Sequence, residues 1–452
     1  MTGLFDKGVD MLYAKEISTA ERHYDLIVVG GGSAGASAAI LAARNGLKTL
    51  LVEKMPFVGG TSTAVLDTFY GYYSPGGKSK KIIGGVPDDV AAKLIKYNSY
   101  LERPNTHGAG TAVSYNPEYL KVVWEELLCE AGANVLLNAQ VVDVIADRDR
   151  RIEGIVVTTK TGLKHYTARF YIDASGDADI CYYAGFPYEQ AGEFEPAQTL
   201  TTTFKMGNVD IKKRFSINKQ EVFNLMEAAG ESGLYNLPRR EGSDHITTVE
   251  NVTATIMTRL ISHYVDKNGK HINATDPDIL SSAEIEGRKQ ALEYVRFLKD
   301  KVPGYENSQL ISFGYQIGVR ETRRIYGEYR LTKEDVLSAK KFHDQIGVCG
   351  APIEDHHSGK GTKWIYLPDG EVCGIPFRVL VPQGSKNLLV AGRCLSATHD
   401  AHASVRSMGQ TMSMGQAAGL AVCLAVENDL NNIMEIDIET LRQRLTNIGA
   451  IV

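Results

Sequence analysis

The sequence predicts an α/β fold: a parallel sheet with a β-meander, assembled from both ends of the chain, with an α+β domain inserted between them. Three observations predict it. First, a buried strand, a glycine turn, a small-residue helix and a second buried strand follow one another at "YDLIVVGGGSAG", "ASAAILAARNG" and "LKTLLVEK". This order, within about 30 residues, is the Rossmann-like mononucleotide-binding unit. Second, the segment from Asn134 to Gly176 alternates at period two, with a turn near Asp147–Arg151, and returns to a strand at Phe170–Ala174, as an antiparallel meander does. Third, a buried strand ending in glycine reappears at "PFRVLVPQGSKNLLVAG", after a long stretch of different character. The expected organisation is a polar lead-in over 1–22, the first part of the nucleotide domain over 23–187, an inserted substrate or cap domain over 188–370, and the second part with a C-terminal helix over 371–452.

The totals restrict the function classes. Of 452 residues, 43% are hydrophobic and 23% charged, an ordinary globular composition. The formal net charge of −5 offers no electrostatic footprint for nucleic acid or an anionic membrane. The densest basic run, "GGKSKK", reads as a solvated loop. The six cysteines form no C-x-x-C pair, which argues against a zinc site or a redox dithiol and for reduced thiols in a cytoplasmic protein. No apolar run reaches the ~18 residues of a membrane span, and the N-terminus lacks a secretory apolar core.

In chain order, the first dense site is Gly30-x-Gly32-x-x-Gly35. Gly30 permits the turn, Gly32 lets the backbone approach a pyrophosphate, and Gly35 lets helix and strand pack closely. Ser33 and Ala34 open the helix, whose unpaired N–H groups favour an anion. Glu53, followed by Lys54, ends the second strand and is placed to accept bonds from ribose hydroxyls. Directly after it comes Gly59-Gly60-Thr61, suited to the phosphate–ribityl part of a longer cofactor. With the meander and the return of the sheet near the C-terminus, this favours FAD over NAD. In the inserted domain one long helix opens at Asp276 with Pro277 in its first turn.

The segments "DLIVVGGGSAGASAAILAARNGLKTLLVEK", "GGTSTAVLDTFYGYYSPG", "YIDASGDADI", "IGVRETRRIYGEYRLTKEDV" and "NLLVAGRCLSATHDAHASVRSMGQTMSMGQAAG" together resemble the FAD-dependent oxidoreductase family, a bacterial group related to the glutathione-reductase and fumarate-reductase flavoproteins. The resemblance covers most of residues 23–425. It implies that Gly30, Gly32 and Gly35 hold the diphosphate, Glu53 the adenosine ribose, and Gly59, Gly60 and Thr61 the flavin side. It implies that Val141 and Val142 meet the adenine edge through backbone atoms. Ser175-Gly176-Asp177 matches an "ATGD" corner, and Gly392 ends the last cofactor strand. Many relatives carry an acid after that glycine; here stands Arg393, so either Arg393 reaches the diphosphate or Asp400 takes the ribityl contact.

After Gly392 the resemblance implies a loop across the isoalloxazine edge and then a close-packed helix, with Gly415 and Ala417 near the cofactor. His402 and Arg406 stand at i, i+4 in that loop. The Arg406 guanidinium suits a substrate carboxylate or carbonyl, or else the diphosphate. His402, or failing it His399, is the candidate acid–base group. Arg320, after an apolar glycine-flanked run, is a candidate anion binder with Tyr315 as a substrate contact; at least two of Arg320, Arg323, Arg324 and Arg330 are expected in ion pairs joining the domains. His107 is a candidate lid residue. His356 and His357 read as a surface loop, and no metal set is evident.

The expected reaction is hydride transfer between a small polar substrate and flavin N5, first as oxidation of a C–OH or C–N bond, second as reduction of an activated C=C, third as hydroxylation. A non-catalytic electron-transfer subunit is the rival reading. No second G-x-G-x-x-G unit appears, so an external electron acceptor or donor is expected, and homo-oligomerisation stays open.

Overall fold

The computed structural model describes residues 18–105, 110–356 and 361–452. Its central sheet runs Asn134–Leu136, Thr49–Val52, Ser18–Val29, Gly162–Asp173, Ile152–Thr159 and Gln140–Ala146. The first four strands pair in parallel; the last two form the antiparallel meander. Gly162–Asp173 serves two neighbours on one side. Its beginning pairs with Ile152–Thr159, while its end pairs in parallel with Leu388–Val390 from the far end of the chain. The Asn387 amide stitches this fork: it accepts from Ile152 N–H at 3.0 Å and donates to the carbonyls of Ile152 and Arg169 at 2.9 and 3.0 Å.

Thr49–Val52 and Leu388–Val390 are buried on both faces, which is why they read as apolar runs. On one face the helix Ser33–Arg44 packs against Met408–Glu427. Both are rich in Ala and Gly, so their backbones come close. A Cβ on Gly415 would sit 2.0 Å from the Ala34 carbonyl oxygen, and one on Gly419 2.5 Å from that of Ala38. Gly415 and the fully buried Ala417 therefore serve helix–helix packing and do not line the cofactor cleft, contrary to the expectation from sequence. Gly415→Ala gains about 1 kcal/mol of helix propensity. The clash is with backbone, which cannot swing aside, so a net loss of about 1–3 kcal/mol is expected in denaturant unfolding; an unchanged midpoint would show that the helices part freely.

The segment expected as an insertion holds a separate four-stranded antiparallel sheet in the order Ser243–Ile246, Thr253–Ile256, Phe204–Gly207, Gln309–Phe313. Residues of Lys219–Glu231 and Pro277–Lys301 share its core, around Phe204, Met226, Tyr294, Phe297 and Tyr305. Asp276 caps the long helix by accepting from Asp278 and Ile279 N–H. The insertion does not extend to 370 as expected. Leu331, Val336, Ile346, Val348, Ile353, Ile375 and Val379 all belong to the same core as Leu26 and Val28. Their strands are short and fully buried, Gln345–Cys349 and Cys373–Pro376, and the polar loops between them mask the return. Nor is 399–405 a loop: it is a short helix, His399–Val405, capped by Thr398. Among the described residues no helix is long and apolar enough to cross a membrane.

Candidate functional site

One cleft runs from the glycine turn, along the carboxyl ends of the parallel strands, to the underside of the inserted domain. At its nucleotide end it is lined by Gly30, Gly32, Ser33, Ala34, Glu53 and Lys54. Gly30 has φ +97°, and a Cβ there would lie 2.3 Å from the Ala174 carbonyl oxygen. At Gly32 the nearest atom to an added Cβ is 4.0 Å away, so this side stays open. No side chain caps the helix that follows, so its first N–H groups are left for a ligand. Glu53 accepts from Gly31 N–H at 2.5 Å and from Met55 N–H at 2.8 Å. Burial raises its pKa against the pull of those bonds.

Gly60, Thr61, Ser175, Gly176, Asp177, Gly392 and Arg393 continue the lining. Arg393 donates through Nη2 to Asp177 at 2.7 Å, and its Nη1 is buried with no partner among the described residues. An unpartnered guanidinium nitrogen beside an uncapped helix start fits a diphosphate, and the acid at the second strand fits a ribose. These residues would hold FAD, which supplies a two-electron hydride acceptor or donor when bound. Gly35, Gly59 and Val142 are not among the residues that line the cleft. Gly35 faces the Gly30 carbonyl, Gly59 faces Thr63, and Val142 sits at a bulge of the meander strand. Asp400 pairs with Lys333 at 2.6 Å and does not line the cleft.

At the other end the cleft is walled by Arg239, Arg320, Arg406, Glu354 and His356, with Tyr70, Thr201 and Ser243. Arg320 donates to the Thr199 carbonyl at 2.7 Å, and Arg406 to the Glu354 carbonyl at 3.2 Å. Arg239 donates to the Ile256 carbonyl at 3.1 Å and to Thr362 Oγ1 at 3.4 Å. The Nε atoms of Arg239 and Arg406 are buried with no partner among the described residues. Burial, then Arg406 and Arg239, push Arg320 down to about 9, the mark of cations crowded together. His356 bonds Glu354 Oε1 through Nε2 at 2.7 Å and Thr362 Oγ1 through Nδ1 at 3.0 Å. Burial alone would raise Glu354, but His356, Arg406 and Arg320 outweigh it and hold it well below the carboxylate range. Sequence reasoning missed Arg239 and Glu354 and read His356 as surface. Burial alternates at Ile353-Glu354-Asp355, but the buried Asp355 is polar, so the sequence shows no apolar–polar alternation to mark Glu354.

The two histidines chosen from sequence do not reach the cleft. His402 is fully buried and bonds the Arg393 carbonyl through Nε2 at 2.7 Å. A carbonyl only accepts, so that nitrogen carries the proton. Burial pushes its pKa down to about 3 over the pull of Glu321. His399 lies between Glu321 at 3.0 Å and Asp355 at 3.3 Å. Burial opposes its charge, but Asp355 and Glu321 win and hold it up at about 9. Both rings turn toward the interior because the helix His399–Val405 presents that face to the Glu321 and Arg324 cluster. Tyr315 is 61% exposed and packs edge-on against Phe57, outside the cleft. His107 and His357 lie outside the described residues.

Arg323, Arg324 and Arg330 form ion pairs, leaving Arg320 as the member of its motif that lines the cleft. Arg324 is 1% exposed and meets Glu189 at 2.9 Å, Glu195 at 3.1 Å and Glu321 at 3.3 Å. The metal-ligand atoms of Asp355, His399 and Asp400 lie within 4.8 Å of one another, and the three residues take part in the contacts just described.

The chain is similar to several known proteins. A digeranylgeranylglycerophospholipid reductase of Picrophilus torridus is 32% identical over 161 residues, 34% of this chain and 40% of that protein. Its counterpart in Thermoplasma volcanium is 23% identical over 257 residues, 54% of this chain and 61% of the relative. The chain thus spans about half the length of these curated relatives. A geranylgeranyl bacteriochlorophyll reductase-like structure from Thermoplasma acidophilum superposes with a TM-score of 0.47 at 13% identity, covering 96% of this chain and 85% of that one. The profile of FAD dependent oxidoreductases matches residues 25–445, nearly the whole of the described fold, and the chain belongs to that family.

Proposed function

We propose that this FAD-dependent oxidoreductase oxidises a C–OH or C–N bond in a small anionic substrate, with hydride leaving the substrate carbon for the cofactor. The observation that carries this reading is the group of guanidiniums lining the end of the cofactor cleft, Arg239, Arg320 and Arg406, beside the carboxylate of Glu354. Buried cations of one sign are costly until an anion joins them. A substrate carboxylate meets that need and is fixed by the planar guanidinium fork. Arg320 and Arg406 orient the substrate; His402 and His399 act behind the wall, one holding the Arg393 backbone and the other the Glu321–Asp355 cluster.

The test is anaerobic bleaching of the yellow holoprotein by matched compounds. Hydroxy acids or amino acids are expected to remove the visible flavin absorbance, and the corresponding neutral alcohols and amines to leave it. The same guanidiniums would polarise an enoate, so turnover of enoates by the reduced protein alone would replace this reading with reduction of an activated C=C. A holoprotein that no compound reduces or reoxidises would support the electron-transfer reading.

A further inference from the structure

Resting on the reading just given, we propose that Glu354 is the catalytic base that takes the proton from the substrate's hydroxyl or amine. Glu354 lies on the strand Ile353–Asp355 and opens into the cleft beside Arg320 and Arg406. Its side chain is 39% exposed, whereas that of His356, its partner, is 3% exposed.

The hydrogen bonds around it have one consistent direction. Arg406, Arg320 and the hydrogen bond from His356 keep Glu354 ionised, so its oxygens only accept. His356 Nε2 therefore carries a proton and donates to Oε1. Nδ1 is then the ring's acceptor, receiving from the Thr362 hydroxyl, whose oxygen receives from Arg239. Both ring nitrogens are engaged, and burial with Arg320 nearby keeps His356 neutral. His356 is thus a positioning residue. Among the described residues the second oxygen of Glu354 accepts no hydrogen bond, and it is the acceptor Glu354 offers to the cleft.

The charge around Glu354 also ties its basicity to occupancy. In the unliganded cleft the guanidiniums make it a weak base. An anion seated on them removes that pull, while burial, which acts in the opposite sense, remains. The carboxylate becomes basic when the substrate is present. In the step itself the substrate C–H bond breaks with both electrons leaving as hydride. The O–H or N–H bond breaks with its proton passing to Glu354, and a C=O or C=N bond forms. The anion on the arginines and the donor on Glu354 thus define a two-headed substrate.

Glu354→Gln removes the charge and keeps the shape. Two measurements on the holoprotein separate this inference from the reading beneath it. The first is binding, followed by perturbation of the flavin spectrum and by thermal shift, with a hydroxy acid and its deoxy analogue. Wild type is expected to favour the hydroxy acid about 10-fold, as a hydrogen bond to a charged group provides. Glu354→Gln is expected to lose that preference while binding the deoxy acid at least as tightly. The second is bleaching, expected to slow by about 10²- to 10⁴-fold in Glu354→Gln and to keep its wild-type pH profile, at reduced rate, in Thr362→Val. Equal binding of the two acids by wild type overturns the assignment, as does bleaching of Glu354→Gln at the wild-type rate. A hydroxy-acid preference that depends on Glu354, in a protein that no compound bleaches, keeps Glu354 as the donor's partner and sinks the redox reading instead.

Discussion

Arg406→Gln is expected to retain FAD and to lose affinity for small carboxylates by about 30-fold or more. The magnitude follows from removing one partner of a buried charge pair, about 2–5 kcal/mol, at 1.4 kcal/mol per factor of ten. The geometry says which ligand is affected. Among the described residues Arg406 donates one bond, to the Glu354 carbonyl, and its buried Nε has no partner at the substrate end of the cleft. The diphosphate end has its own cation in Arg393, with a buried and unpartnered Nη1. Arg393→Gln is therefore expected to do the reverse, lowering the flavin-to-protein ratio and sparing anion affinity. Loss of flavin from Arg406→Gln with unchanged anion binding would reassign that guanidinium to the cofactor. Anions that fit should also raise the melting temperature of the wild type, since they relieve the mutual repulsion of Arg239, Arg320 and Arg406.

Arg324→Met is expected to destabilise the protein by about 3–5 kcal/mol, the usual cost of removing one partner from a buried ion pair. The side chain is 1% exposed and pairs with Glu189 and Glu321, which are 2% and 0% exposed. Its Nη1 also donates to the Ala397 carbonyl at 2.9 Å, one residue before the cap of the helix His399–Val405. Methionine fills the space but leaves buried carboxylates short of a cation. The denaturant midpoint should fall, with FAD release preceding unfolding. A loss under about 1 kcal/mol would show that Arg330 and His399 neutralise the acids without it.

What the sequence shows of this molecule is local. The glycine turn, the acid that ends the second strand and the alternation of the meander are all written within short windows, and each stands where its pattern places it. The return of the chain to the central sheet is also readable, because Leu388–Val390 is a buried strand followed by glycine. The substrate end was not. Arg239, Arg320, Glu354 and Arg406 come from four separate segments, and no spacing links them. The pair His402 and Arg406 shows the limit most clearly. Their i, i+4 spacing puts them near one another on a helix but does not say which way that face turns; Arg406 looks into the cleft, and His402 toward the Arg393 carbonyl.

The fork in Gly162–Asp173 has a consequence for biosynthesis. One edge of that strand stays bare until Leu388–Val390 leaves the ribosome, and the helix Ser33–Arg44 waits still longer for Met408–Glu427. The amino-terminal half is thus made early but finished late. Translation stalled anywhere before Leu388 should yield a nascent polypeptide that is protease-sensitive and colourless. Flavin capture becomes a checkpoint that waits on segments remote in the chain.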